Sequence, residues 1–296
     1  MHIPVLLDEV LEGLAIEPDD VVLDCTVGGG GHSEAICRKL GKQATLLGID
    51  ADAETLGLVA ERLKETECRV LLAEENFRNL DTVLIKLQIP LVSKILFDLG
   101  MSSRQLDDSG RGFSFRSNEP LVMTFSSARK DGTLTAADIV NEWSEETLAV
   151  ILKGYGEERF ARRIAQAIVR ERTKRPIATT GDLVAIVERA VPAGYRRGRL
   201  HPATKTFQAL RIAVNDELEA LKEGLAKGFD HLEHGGRIAV ISFHSLEDRI
   251  VKRFFKAQTE LKEGRSITKR PITPGKREQQ LNPRSRSAKL RILQKI

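Results

Sequence analysis

The chain has 296 residues, 41% hydrophobic and 30% charged, enough for one large buried core or two modest ones. No apolar run approaches the ~20 residues that cross a bilayer, and Met1-His2-Ile3-Pro4 is not a basic segment leading into an apolar one, so the chain reads as cytoplasmic, with no membrane partner. The net charge of +4 hides an asymmetry: residues 1–100 carry 9 Lys and Arg against 18 Asp and Glu, whereas residues 249–296 carry 15 against 3. A basic end of this kind suits a polyanion such as RNA, with Arg284 to Arg291 as its densest part, and a solvated tail is the alternative. Cys25, Cys37 and Cys68 are scattered without a C-x-x-C pair or clustered histidines, so no metal centre or disulfide framework is expected and the thiols read as core residues.

In chain order, Val21–Cys25 reads as a strand that runs into the glycine turn Gly28-Gly29-Gly30-Gly31 and then a helix beginning near Ser33. Such a turn serves dinucleotides, S-adenosyl-L-methionine and nucleotides alike, or is only a tight turn. Ala44–Ile49 is the next strand, and Asp50 follows it 22 positions after Gly28, where an α/β nucleotide fold places its ribose-binding acid; Asp50 or Asp52 also suits the N-cap of a helix to about Lys64. Cys68–Ala73 and Ile95–Leu99 continue the strands, with helical patterns near 34–42, 53–65 and 79–88, and this alternation argues for a parallel sheet covered on both faces. From about Asp107 to His201 no comparable strand appears, and Glu146–Leu152, Arg159–Arg172 and Asp182–Val191 have amphipathic helical spacing. Thr206–Leu225 then reads as one long helix, Arg237–Ser242 as a fifth parallel strand, Leu246–Phe255 as a helix and Lys289–Leu293 as a strand returning to the sheet. The expected domains are therefore a core of residues 1–106 and 206–296 and an inserted helical domain of residues 107–205.

Five alternating strands and helices followed by a helix and a last, antiparallel strand fit a Rossmann-like class I S-adenosylmethionine-dependent methyltransferase sheet. A dinucleotide dehydrogenase is the rival, but the third glycine of G-x-G-x-x-G is Ser33 here, and Asp24 at the strand end suits a sulfonium or amino group better than a pyrophosphate.

Beyond the turn the residues become specific. His2-Ile3-Pro4-Val5-Leu6-Leu7-Asp8-Glu9-Val10, Asp98-Leu99-Gly100-Met101-Ser102-Ser103, Arg111-Gly112-Phe113-Ser114-Phe115, Tyr155-Gly156-Glu157-Glu158, Thr206-Phe207-Gln208-Ala209-Leu210-Arg211, Phe243-His244-Ser245-Leu246-Glu247-Asp248-Arg249 and Asn282-Pro283-Arg284-Ser285-Arg286-Ser287 together resemble the ribosomal RNA small subunit methyltransferase H family over nearly the whole chain. The resemblance implies methylation of the exocyclic N4 of a decoding-region cytidine in bacterial 16S rRNA, within the small ribosomal subunit or its precursor. It further implies S-adenosylmethionine as cofactor, held by Gly30, Gly31, His32, Asp50, Phe77, Asp98 and Gln105, with the inserted domain recognising the substrate. One segment departs from the family pattern: Asn118-Glu119-Pro120-Leu121-Val122-Met123-Thr124-Phe125-Ser126 lacks two acids and an arginine, so the contacts those charges make in the family are not expected here.

Such chemistry asks mainly for positioning, plus an acceptor for the N4 hydrogens. Asp98 is the expected catalytic carboxylate, with the Ser102 and Ser103 hydroxyls or loop carbonyls as alternatives. Phe113, Phe115, Tyr155 and Phe243 are candidates to stack on the base, and each is equally a candidate core residue. His244, Arg211, Arg249 and Phe113 form the expected substrate-binding set; His244 with Ser245 also has the residue types of a hydrolase, but lacks the G-x-S-x-G elbow. A non-catalytic RNA-binding factor would carry the same basic residues without needing the cofactor glycines, and methylation of DNA or a small amine would share the fold. Whether the chain is a monomer or a homodimer stays open.

Overall fold

Apolar runs that a parallel sheet buries on both faces supply the strands. The computed structural model describes residues 3–127 and 132–296; His2 and the Ser103 side chain, both within the motifs above, lie outside the described residues. The strands are β1 Val21–Asp24, β2 Thr45–Asp50, β3 Arg69–Glu74, β4 Val92–Asp98, β5 Leu232–Ser242, β6 Gly264–Ser266 and β7 Lys289–Lys295. The helices are α1 Leu7–Leu14, α2 Gly31–Cys37, α3 Ala53–Arg62, α4 Leu80–Lys86, α5 Ser103–Asp107, α6 Ala136–Glu142, α7 Glu145–Gly154, α8 Ala161–Arg172, α9 Thr180–Ala190, α10 Ala193–Arg196, α11 Thr204–Asn215, α12 Glu217–Asp230, α13 Ser245–Glu260 and α14 Lys276–Leu281. They fall into two compact units, one of residues 1–102 and 218–296, the other of residues 103–217. No helix among the described residues is long and apolar enough to cross a membrane.

The first unit holds a seven-stranded sheet in the order β3-β2-β1-β4-β5-β7-β6. The strands from β1 to β5 run parallel, and β7 is antiparallel to both β5 and β6, as the class I methyltransferase fold requires. Period-two alternation divides the core. Val22, Leu46, Leu96, Ile241 and Ile292 join the cluster that also holds Val10 and Leu14 of α1. Leu23, Leu47, Phe97, Val240 and Leu293 join the one that holds Leu221 and Leu225 of α12. Cys37 and Cys68, distant in sequence, meet in the first cluster with their sulfurs 3.1 Å apart as free thiols, and burial pushes the Cys37 thiol up.

The second unit is helical. The expected single helix Thr206–Leu225 is in fact two, because Asp216 adopts the left-handed conformation (φ 48°) between α11 and α12. Asn and Asp tolerate that region, and the Asn215 side chain fixes the break: Oδ1 accepts from the Phe125 N–H at 2.8 Å and Nδ2 donates to the Met123 carbonyl at 2.7 Å. The departing segment is therefore held through its main chain, and Arg111 adds a bond to the Phe125 carbonyl at 2.6 Å.

The Tyr155–Glu158 motif docks on α11 at a point where only glycine fits. A Cβ on Gly156 would lie 2.5 Å from the Lys205 carbonyl oxygen and 2.7 Å from that of Leu152. Backbone cannot yield as a flexible side chain does, so Gly156→Ala should destabilise the protein by about 2–3 kcal/mol, measured by urea unfolding.

Candidate active site

The carboxyl ends of the parallel strands bring Asp24, Asp50 and Asp98 to one edge of the sheet, where ligands of open α/β folds collect. Gly28 (φ 50°) and Gly30 (φ 75°) turn the chain there in conformations that favour glycine, and Gly30 caps α2. Gly31 has a different task, since a Cβ there would lie 2.5 Å from Pro4, so its bareness lets the N-terminal segment cross the start of the helix. A cleft in this unit is lined by Thr26, Gly28, Gly29, Gly31, His32, Asp98, Gly100, Met101, Ser102 and Phe243, with Pro4 and Val5 from the N-terminus and Asn282 and Arg284 from the basic tail; of the expected cofactor residues Gly30, beside Val59, and Asp50 are not in this lining.

Asp50 braces the turn. Its Oδ2 accepts from the Gly28 N–H at 2.8 Å and its Oδ1 from the Asp52 N–H at 3.0 Å, while the N-cap of α3 is Asp52. Burial pushes the Asp50 carboxyl up to about 6 in spite of these two amide bonds, so it is a carboxylate at neutral pH with acceptor capacity left over. Asp24 is wholly internal, with Ser33 Oγ donating to its Oδ2 at 2.6 Å, and burial raises it as well.

His32 connects this wall of the cleft. Its Nε2 lies 3.0 Å from the Val5 carbonyl oxygen and its Nδ1 lies 3.4 Å from Asp98 Oδ2. Both neighbours only accept, so the ring satisfies both as imidazolium. Burial opposes the charge, yet Asp98, Asp24 and the Val5 carbonyl outweigh it and raise the ring above its ordinary value of 6.5. In an NMR titration the His32 ring protons should therefore titrate above 6.5, and Asp98→Asn should bring them down; the opposite order would break the pairing. The ring lies against Oδ2 alone, and Asp98 Oδ1 is a buried acceptor with no hydrogen-bond partner among the described residues.

The other expected residues are placed as follows. Phe77 packs edge-on against Phe97 (centroids 5.6 Å) and beside Gly224, and it stands apart from the cleft-lining set above. Gln105 is buried on α5 of the helical unit. Phe113 is also buried there, stacked on Phe125 at 5.7 Å with the Arg111 guanidinium 5.6 Å from its ring centroid, so its faces are already engaged. Phe115 stacks on His201 at 4.6 Å, Tyr155 caps the C-terminus of α7 with its carbonyl bound by Gln208, and Phe243 is the stacking candidate that lines the cleft. Arg211 is committed to a bidentate pair with Glu217 at 2.7 and 2.8 Å, both side chains mostly buried. His244 is the N-cap of α13 in a reciprocal capping box with Glu247, and its Nε2 lies 3.1 Å from Glu247 Oε1. Arg249 is exposed on the same helix.

Sequence reasoning missed how the basic tail is built in. Asn282 donates to the Ile3 carbonyl at 3.1 Å, and Glu278 accepts from the Leu6 N–H at 2.8 Å. Lys289 and Arg291 both reach Asp248, at 3.1 and 2.7 Å, so these two cations share one carboxylate within the fold. Only the alternation of Ala288 to Leu293 signalled the return to the sheet.

A family model described as the MraW methylase family matches residues 1–296. A Heliobacterium mobile protein named Ribosomal RNA small subunit methyltransferase H is 49% identical over 311 residues, covering 100% of this chain and 99% of that protein. A protein of the same name from Persephonella marina is 50% identical over 295 residues, again covering 100% and 99%. A solved structure described as a putative rRNA-methylase from Clostridium thermocellum superposes with a TM-score of 0.50 over 100% of both chains at 13% identity, a likeness in fold alone. The cofactor of this family is S-adenosylmethionine, and the chemistry of the cleft fits it: Gly28, Gly29 and Gly31 give close backbone approach, and Asp98, whose Oδ1 is buried without a partner, is a carboxylate suited to a cation. With a family match over its whole length and relatives half identical to it from end to end, the chain belongs to the MraW methylase family.

Proposed function

We propose that the chain methylates the exocyclic N4 of a cytidine in the decoding region of bacterial 16S rRNA, taken in the small ribosomal subunit or its precursor, in the cytoplasm. The observation that carries the reading is the buried, unpartnered Oδ1 of Asp98 beside the glycine turn in the cleft of a methylase. The name shared by the relatives supports ribosomal RNA as the acceptor.

The donor supplies an electrophilic methyl group on a sulfonium. Everything else falls to the chain. The turn at Gly28–Gly31 and Asp50 hold the donor's polar parts. Asp98 Oδ1 accepts an N4 hydrogen and stabilises the positive charge that develops on the amine, while His32 fixes the other carboxylate oxygen so that Oδ1 is the one presented. Phe243 offers a flat apolar face to the base and helps exclude water. Residues 103–217 recognise the substrate; within them Phe113 and Arg211 act as supports, as His244 does at the head of α13, and Arg249 is retained as a direct phosphate contact.

The test is a comparison of acceptors. With methyl-labelled donor, the enzyme should label small subunits from cells lacking the modification and leave duplex DNA and small amines unlabelled. Equal labelling of DNA would return the reading to the fold alone.

A further inference from the structure

We infer that the helical unit carries an RNA-phosphate surface built from Arg159, Arg162 and Arg163 at the start of α8 and Arg196, Arg197 and Arg199 at the end of α10 and just after it. All six are exposed, and none has an ion-pair partner among the described residues. The rest of the unit shows what ordinary pairing looks like: Arg170, Lys174 and Arg189 all reach Glu171, and Arg175 reaches Asp182.

The two arginine-bearing segments are locked side by side. Phe160 and Tyr195 meet edge to face with centroids 5.0 Å apart. The Tyr195 hydroxyl donates to Glu158 Oε2 at 2.6 Å, the Phe160 N–H donates to Glu158 Oε1 at 2.8 Å, and Glu158 itself is buried. Burial and the Glu158 carboxylate push the Tyr195 phenol up to about 12, so it remains a donor. The Arg159 guanidinium lies 4.8 Å from the Phe160 ring centroid and 4.7 Å from that of Tyr195, and Arg163 lies 5.8 Å from Phe160. The buried Glu158 carboxylate is thus spent on holding the cluster together.

Stacking orients the Arg159 plane while leaving its N–H edges able to fork onto an anion. Arg159 and Arg163 share the Phe160 ring, like charges held that close repel, and arginines exposed on these two segments without ion pairs among the described residues suit a partner that supplies several anions in succession. RNA does so along its backbone, and its unstacked bases also lie flat on guanidinium and aromatic planes. The inference rests on the proposed rRNA substrate and deepens it, by assigning most of the phosphate contact to this unit instead of the basic tail.

The test uses the full chain with Arg162→Gln, Arg196→Gln and Arg197→Gln together, which leaves the aromatic stack untouched, and a second variant with Lys at the same three positions. Binding to a 16S rRNA fragment is measured against salt, alongside KM and kcat for methyl transfer to small subunits and the Kd for the donor. For the Gln variant, the log–log salt slope should flatten by about two units and KM for the subunit should rise about tenfold, with kcat and donor Kd unchanged. The Lys variant should keep the wild-type slope, because the charge is what the phosphates read. An unchanged slope and KM in the Gln variant would overturn the surface, as would an equal loss in the Lys variant. If the wild-type enzyme labels no RNA, the functional reading falls, and the slopes still decide the surface.

Discussion

Asp98→Asn should leave the protein folded and able to bind its donor while methyl transfer falls by a factor on the order of a hundred or more. The amide keeps the size of the carboxyl, and the main-chain anchor at this position, the Asp98 N–H donating to Thr26 Oγ1 at 2.6 Å, is untouched. What changes is charge. Asp98 Oδ1 is buried without a partner, so a negative oxygen there is free for the N4 hydrogen and for the charge that develops on nitrogen. Asn offers at best a neutral acceptor, and its amide competes for the His32 ring that lies 3.4 Å from Oδ2. Single-turnover rates at saturating donor and RNA separate this from weakened binding. Transfer within about threefold of wild type would make Asp98 a structural strand end.

Asp50→Ala should weaken donor binding by about ten- to a hundredfold, since a charged acceptor for hydroxyl donors contributes roughly 1.5–3 kcal/mol. The same substitution releases the Gly28 and Asp52 amides, so part of the loss comes through a looser turn. A pH dependence separates the two parts. Burial raises the carboxyl from 3.8 to about 6, which means the fold prefers the protonated form and stability declines as pH rises through that window. Donor binding runs the other way: it needs the carboxylate, and should weaken several-fold from pH 7.5 to pH 5 in the wild type. Asp50→Asn should bind weakly with no such step. Calorimetry that finds the same pH profile in both proteins would remove Asp50 from the ribose contact.

Much of the sheet was legible because strands buried on both faces spell continuous apolar runs, and the antiparallel return of β7 showed in its alternation. The failures have particular causes. β4 starts at Val92, earlier than the apolar pattern suggests, because Lys94 lies within the strand and is tolerated there through its pairing with Asp20 at 3.6 Å. The break at Asp216 was hidden because helical periodicity continues on both sides of it, and the Asn215 bonds that fix it come from residues some 90 positions away. β6 has three residues, too few for a period. At the site, the spacing of Asp50 from the glycine turn was readable since one βαβ unit sets it. The pairing of Arg211 with Glu217 and the stacking of Phe113 on Phe125 depend on tertiary packing, which a residue type cannot announce. The same holds for the arginines around Tyr195, whose neighbours come from two helices.

The central claim is tested most directly by the position of the transferred methyl group. Small subunits purified from cells lacking the modification are incubated with the enzyme and isotopically labelled donor, and the rRNA is digested and mapped by mass spectrometry. The account predicts label on a single decoding-region cytidine, released as a nucleoside methylated at N4 and absent when Asp98→Asn enzyme is used. Label on C5, on a ribose hydroxyl or on a nucleotide outside the decoding region would contradict it.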